Sequence, residues 1–247
     1  MRRTSYRYAI VGIASLMLGL VATSVMAQTP ANGTPAAASG TPASGEVTVY
    51  RATLHPLNVD AAGSSASGEA TFTISGDALT IDISVHGVTP GMQHLQHFHG
   101  FADTDQKAAC PTAADDKNGD GIVDLIETEP VVGTTMVPFH DDPVSMQIVN
   151  DTYPTANADG SYTYSKTVSL DALTKAFLKQ FPNQQSLALD HRVVMIHGIA
   201  SSTSLPDTVQ SLDDIPAQVT IPVACGVIEQ VQPGTPIAAS PVAVATP

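Results

Sequence analysis

The chain has 247 residues, with 23 acidic and 10 basic side chains, and its formal net charge at neutral pH is −13. This balance argues against a nucleic-acid partner, because there is no excess of Lys and Arg to pair with phosphates. It also argues against attraction of anionic substrates by the overall field of the protein.

The N-terminus has the pattern of a secretory signal over residues 1–27. Three arginines precede an apolar run at 9–25, and Val25 and Ala27 offer small side chains for cleavage. We expect export to the periplasm, the cell surface or the medium. The alternative is an uncleaved N-terminal anchor, since the apolar run is nearly long enough to span a bilayer. Cleavage would remove Arg2, Arg3 and Arg7 and leave seven basic against 23 acidic residues, a charge of about −16.

Two segments of low complexity flank the body of the chain. Residues 28–45 and 232–247 are rich in Pro, Ala, Ser, Thr and Gly. Such segments cannot bury enough apolar surface to offset their ordering entropy, so we expect a disordered linker and a disordered tail. Residues 46–231 are predicted to form one domain.

The body of the chain reads mainly as short strands in which apolar and polar residues alternate. The predicted strands are 46–54, 69–75, 79–85, 161–169, 192–197 and 219–228. The turn at Gly76 predicts a hairpin, and one helix is predicted at 171–180. Regularly spaced short strands favour an all-β antiparallel sandwich or barrel. The polar segment 102–158 is too long for an ordinary loop, which indicates a functional or locally stapled region.

Histidines are concentrated in the segment 93–100 (QHLQHFHG). His97 and His99 are two residues apart, so on a strand they project from the same face. Neutral imidazole nitrogens are common metal ligands, and the pair therefore predicts a metal site. His94 would lie on the opposite face or in the preceding loop.

Two further histidines are candidate ligands. His197 ends an apolar strand and precedes Gly198, and the alternative for it is a capping role. His140 lies in the long polar segment beside two aspartates, where a surface ion pair is the alternative. The remaining histidines of the body have no supporting context and are interpreted as structural.

Residues 116–127 (DKNGDGIVDLIE) match the pattern of a calcium-binding loop. Gly121 stands at the sixth position, where the chain must turn sharply. The predicted ligands are side-chain oxygens at five positions and one backbone carbonyl: Asp116, Asn118, Asp120, Asp124 and Glu127, with the carbonyl of Ile122. A structural calcium loop is expected, and a solvated acidic turn is the alternative.

Only two cysteines occur, Cys110 and Cys225. In an exported protein such a pair most often forms a disulfide, and closing so long a loop stabilises the fold by about 4–5 kcal/mol. Free thiols that bind copper are the alternative.

In chain order, these features resemble the copper/zinc superoxide dismutase family over about residues 46–231. The matching segments are 85–94 (VHGVTPGMQH), 97–103 (HFHGFAD), Cys110, 157–160 (NADG), 192–198 (RVVMIHG) and 224–228 (ACGVI). The resemblance implies a Greek-key β-barrel and a Cys110–Cys225 disulfide. It also implies copper bound by His97, His99 and His197, with His140 as the one candidate for a fourth, bridging ligand.

The chain also departs from the family pattern. The long segment lacks the family's further zinc-ligating histidines, so zinc is not expected, and the calcium-type loop lies in the same segment. Pro222 stands where the family has an arginine that guides superoxide, and the stretch from His197 to Cys225 contains no Lys or Arg. Two hypotheses follow: a copper-dependent superoxide dismutase, or a non-catalytic protein that binds copper, calcium or both. A third, which the copper-type histidines do not favour, is an adhesion or matrix module in which calcium orders a loop for a protein partner.

Overall fold

The computed structural model describes residues 47–149, 151–212 and 215–231. The strands within these ranges are β1 (Val47–Pro56), β2 (Ser67–Ser75), β3 (Ala78–His86), β4 (Gln96–Gly100), β5 (Thr134–Pro138), β6 (Tyr162–Ser169), β7 (Val193–His197), β8 (Pro222–Val227) and β9 (Glu229–Gln230). The α-helices are α1 (Val59–Ala62), α2 (Leu125–Val132), α3 (Leu170–Gln180) and α4 (Ala217–Thr220). Short 3-10 turns lie at Ala113–Asp115, Pro143–Ser145 and Leu189–His191.

The strands form one antiparallel sheet in the order β5-β4-β7-β8-β1-β2-β3-β6, with β9 paired to β1. Strand β1 joins the two halves of this sheet, because its first eight residues pair with β2 and its last two pair with β8. The expected all-β antiparallel class is confirmed.

The alternating pattern of the sequence determines which face of each strand is buried. In β3, Leu79, Ile81, Ile83 and Val85 are buried, whereas Asp82 between them is exposed. Strands β2 and β3 pair across Gly76, whose φ of +58° lies in the left-handed region that glycine adopts freely. The predicted hairpin is therefore present. The helix predicted at 171–180 is also present, as α3.

The hydrophobic core lies between the two halves of the sheet. The ring of Phe139 is 5.7 Å from Phe72 on β2 and 5.8 Å from Phe98 on β4, so the sheet curls until its halves face each other. All residues of β4 and β7 are buried. A histidine on either strand is thus withdrawn from water.

Two sequence expectations need correction. The strand expected at 219–228 begins only at Pro222, because residues before it form the helical turn α4. The polar segment 102–158 contains α2 and β5 and is not simply a long loop. The predicted signal, linker and tail lie outside the described residues, and among those described no helix is long and apolar enough to cross a membrane.

A disulfide joins Cys110 in the long segment to Cys225 on β8, across 115 residues of chain. The predicted pairing is confirmed. The alternative of free thiols as copper ligands is removed, since both sulfurs are bonded to each other.

Candidate metal centre

Three of the candidate histidines come together at one end of β4 and β7. These strands are antiparallel neighbours, with Gln96 opposite Ile196, so His97 and His99 approach His197 although 98 residues separate the last two. The ligating atoms of the three side chains all lie within 4.8 Å of one another. We call these three residues the histidine cluster.

The pairing of the sheet is irregular beside two of the three cluster residues. The β4–β5 register shifts between Phe98 and His99, and the β7–β8 register shifts between Ile196 and His197. A β-bulge can re-aim a side chain relative to the regular pleat. Strand periodicity alone does not predict these irregularities.

The ring nitrogens are arranged to bind a ligand between them. His97 Nδ1 lies 3.1 Å from His99 Nε2. His197 Nδ1 donates to the carbonyl of Thr220 at 2.8 Å, so its Nε2 is the nitrogen with a free lone pair. That Nε2 is buried and has no hydrogen-bond partner. A buried polar atom without a partner is costly. With the two neighbouring rings it forms a set of three imidazole donors that suits copper or zinc.

Burial keeps the cluster in its neutral form. Desolvation, followed by the positive charge that each neighbouring histidine would carry, holds the pKa of His97 well below its usual value. The same two causes lower the pKa of His99 to about 3. Desolvation lowers the pKa of His197 to about 4, although the Thr220 carbonyl acts in the opposite direction. The three rings are therefore unprotonated at neutral pH, as metal binding requires.

His94 supports the cluster and does not belong to it. Its Nδ1 lies 3.0 Å from the carbonyl of His197, and its Nε2 lies 3.0 Å from the carbonyl of Thr89. The ring thus ties the segment before β4 to the backbone of a cluster residue. Glycine is favoured at position 198, because its φ of +109° is one that other residues rarely adopt, and a Cβ there would lie 3.3 Å from His94 Nδ1.

His140 lies beside the cluster but is not one of its members. Its Nε2 donates to the carbonyl of Gln147 at 2.8 Å, and its Nδ1 accepts from the amide of Asp142 at 3.0 Å. The ring of Tyr153 contacts the rings of both His140 and His97, at 5.1 and 6.4 Å. With both nitrogens bonded to backbone groups, His140 does not take the place expected of a fourth ligand.

The segment that follows His197 has no Lys or Arg side chain that could attract an anionic substrate. Pro222 is the register partner of His197 across the β7–β8 pair. Arg192 is at the far end of β7, where it is buried and donates to Leu187 and Gln184. No arginine or lysine occurs between residues 198 and 221.

The calcium-type loop is folded around its own side-chain oxygens. The carboxylate of Asp116 accepts hydrogen bonds from the amides of residues 119, 120 and 121. Glu127 Oε1 accepts from the amides of Lys117 and Asn118 at 2.8 and 3.1 Å. Gly121 has a φ of +88°, which explains the glycine at this position. The ends of the loop are thereby drawn together.

Helix α2 begins directly after the ninth position of the loop, a helix that the sequence analysis missed. Asp124 is its N-cap and accepts from the amides of Ile126 and Glu127, while the Glu127 side chain accepts from the amide of Asp124. This reciprocal pair is a capping box, and an Asp followed by a Glu three residues later was the signal available in the sequence.

No family model and no curated protein matches this chain.

Proposed function

We propose that this chain is an exported copper-binding protein of the superoxide dismutase type, with His97, His99 and His197 as the copper ligands. The observation that carries the proposal is the histidine cluster: three buried, neutral imidazoles whose ligating atoms lie within 4.8 Å of one another. Imidazole is a preferred ligand of copper.

The sheet and the disulfide support the dismutase type. The six sequence segments that resemble the family occur in its order along the chain. The strand order places β7 between β4 and β8 and places β6 beside β3, so long connections must cross the fold, as they do in a Greek-key barrel. The bond between Cys110 and Cys225 joins the two cysteines for which the resemblance implies pairing.

In superoxide dismutation two superoxide anions and two protons yield oxygen and hydrogen peroxide. Copper would supply a centre that accepts and returns one electron. The protein residues hold and orient it: the Thr220 carbonyl keeps the proton of His197 on Nδ1, and His94 fixes the backbone of the same residue.

Turnover should be slow, because the sequence after His197 supplies no cation to attract an anion. Pro222 lies opposite His197, and the segment that follows His197 contains no basic residue. Electrostatic steering raises association rates by about 10–1000-fold, and this chain forgoes it. The same observation favours the second candidate function, a protein that binds copper without catalysis.

A superoxide assay on the copper-loaded protein separates these two functions. We expect weak turnover that is abolished in His197→Ala. Because the net charge is negative and residues 198–221 contain no Lys or Arg, the rate should not fall as ionic strength rises. Copper binding without turnover in the natural protein would leave only the non-catalytic function.

For residues 116–127 we propose a structural calcium site, with oxygens from Asp116, Asn118, Asp120, Ile122, Asp124 and Glu127. The fit to the calcium-loop pattern, with a helix beginning directly after the ninth position, supports this assignment. Calcium should raise the melting temperature of the natural protein but not that of Asp120→Ala. The matched control is Asp82→Ala on the exposed face of β3, and an unchanged rise in Asp120→Ala would contradict the assignment.

A further inference from the structure

The segment between His197 and β8, described at residues 198–212 and 215–221, contacts both candidate metal regions. Thr208 Oγ1 donates to Asp120 Oδ2 at 2.6 Å, and the amide of Gln210 donates to Asp124 Oδ2 at 2.6 Å. These aspartates occupy the fifth and ninth positions of the calcium-type loop. The segment is therefore held by carboxylates of that loop.

The same segment holds a cluster residue at its other end. Ser211, next to Gln210, shares a hydrogen bond of 2.8 Å with the hydroxyl of Thr220. The carbonyl of Thr220 accepts from His197 Nδ1 at 2.8 Å. Three hydrogen bonds, joined by the peptide link between Gln210 and Ser211 and by Thr220 itself, thus connect Asp124 to the ring of His197.

Asn58 provides a second, independent connection. Its side chain donates to the carbonyls of Val123 and Pro222, at 2.9 and 3.0 Å, and accepts from the amide of Val123 at 2.9 Å. Val123 is the eighth residue of the calcium-type loop, and Pro222 is the register partner of His197. Asn58 adopts a φ of +48°, a conformation that asparagine tolerates better than most residues.

We propose that these contacts couple the two regions, so that calcium in the loop 116–127 tightens copper binding at the histidine cluster. Thr208, Ser211 and Thr220 act as positioning residues for His197. This inference rests on the proposed function, and it adds a regulation that neither metal site has alone.

The sign of the coupling follows from charge and ordering. Without a cation, the four carboxylates of the loop repel one another. A divalent cation offsets this repulsion and fixes the carboxylates to which Thr208 and Gln210 donate. In each aspartate Oδ1 already accepts from the loop's own backbone and Oδ2 binds the segment, so a fixed carboxylate also fixes the segment. Ordering the segment beforehand removes an entropic cost of copper binding.

The test measures the copper(II) dissociation constant of the protein lacking its signal, by competition with a chelator of known affinity. We expect at least about fivefold tighter binding in calcium than in calcium-free buffer, at the lower end of typical coupling. Magnesium at equal concentration controls for ionic strength. Calcium should also perturb the visible absorption band of the copper form, since it fixes the segment whose Thr220 carbonyl accepts from His197.

The double variant Thr208→Val with Ser211→Ala removes hydroxyls from the connection and leaves every metal ligand in place. We expect it to bind both metals with a smaller calcium-dependent change in copper affinity, because only the connection through Asn58 then remains complete. Ser165→Ala, which removes a serine bonded to Asp82 on the β3–β6 side, is the matched control and should keep the full effect.

Coupling is reciprocal, so copper must tighten calcium binding of the natural protein by the same factor. This measurement needs no variant. A copper affinity that is independent of calcium, although both metals bind, would overturn the inference, as would full coupling in the double variant. Failure to bind copper would instead contradict the proposed function itself, and failure to bind calcium would contradict both this inference and the proposed calcium site.

Discussion

The two candidate metal regions are built in opposite ways. The histidine cluster assembles from two strands far apart in sequence, is at most 3% exposed, and offers neutral nitrogens. The loop 116–127 is contiguous, at least partly exposed over its first six residues, and offers carboxylate and carbonyl oxygens. The first depends on the tertiary fold for its existence, whereas the second is largely specified by twelve consecutive residues.

This difference decides what disturbs each region. Protonation should disable the cluster, because its rings must remain neutral to bind a metal. Charge repulsion should limit the loop, because its ligands are anions held close together. Conditions that weaken one region therefore act on the other only through the contacts between them.

The largest expected effect acts on the fold shared by both regions. Replacing Cys110 and Cys225 by Ser opens a 115-residue connection between the long segment and β8. The free energy of unfolding should fall by about 4–5 kcal/mol in the chain-entropy model. Urea denaturation, with chemically reduced natural protein as the control, measures this loss. A loss below about 1 kcal/mol would mean that the sheet alone holds the long segment.

Removing one cluster ligand should separate the two regions most clearly. His197→Ala should weaken copper binding by about 100-fold or more, since even supporting residues around a metal typically contribute 10–100-fold. The exposed His86→Ala is the control. Chelator competition measures the copper affinity, and melting with calcium shows whether the loop still binds its cation. Equal copper affinity in both variants would refute the role of His197.

Acid should destabilise the metal-free protein through the cluster. The folded-state pKa values, about 3 for His99 and about 4 for His197, lie below the unfolded value of about 6.5, so the unfolded chain binds more protons. Their contribution is complete above pH 6.5 and is lost as the pH falls towards 4, by up to about 1.4 kcal/mol per pH unit for each histidine. Urea midpoints between pH 7 and 4.5 measure the slope, and His99→Gln should reduce it. Identical slopes in the two proteins would contradict a buried, neutral His99.

The smallest expected effect is at Asn58, where the two regions meet. Asn58→Ala removes three hydrogen bonds to Val123 and Pro222, each worth about 0.5–1.5 kcal/mol. We expect the unfolding free energy to fall by about 1–2 kcal/mol, because water replaces some of these bonds. Thermal melting measures the change, and Asn157→Ala near the β6 end of the fold is the control. An unchanged melting temperature would mean that the contacts of Thr208 and Gln210, and not those of Asn58, connect the two regions.

The sequence predicted local features well because their determinants are local. The strands β2 and β3 follow from strict alternation around Gly76, whereas calcium binding by the loop 116–127 stays a prediction. The pair Asp124 and Glu127 is a capping-box signal for helix α2. The sequence prediction interpreted these residues only as calcium ligands and therefore missed the helix.

The contacts that support the cluster could not be predicted in this way. His94 contacts the backbone carbonyls of Thr89 and His197, and His197 donates to the carbonyl of Thr220. Every residue has such a carbonyl, so the sequence does not reveal which one is used. His140 was expected near the cluster on chemistry alone, yet the amide of Asp142 and the carbonyl of Gln147 engage its ring. Whether a histidine nitrogen is free depends on the fold around it.

The most direct test of the account is the copper stoichiometry and electron paramagnetic resonance spectrum of the copper-loaded, dialysed protein. We predict one tightly bound copper(II) per chain, with a hyperfine pattern from imidazole nitrogens that is altered in His97→Gln and unchanged in His140→Gln. A protein that retains no copper after dialysis, or a spectrum that changes in His140→Gln and not in His97→Gln, would contradict the assignment of the histidine cluster.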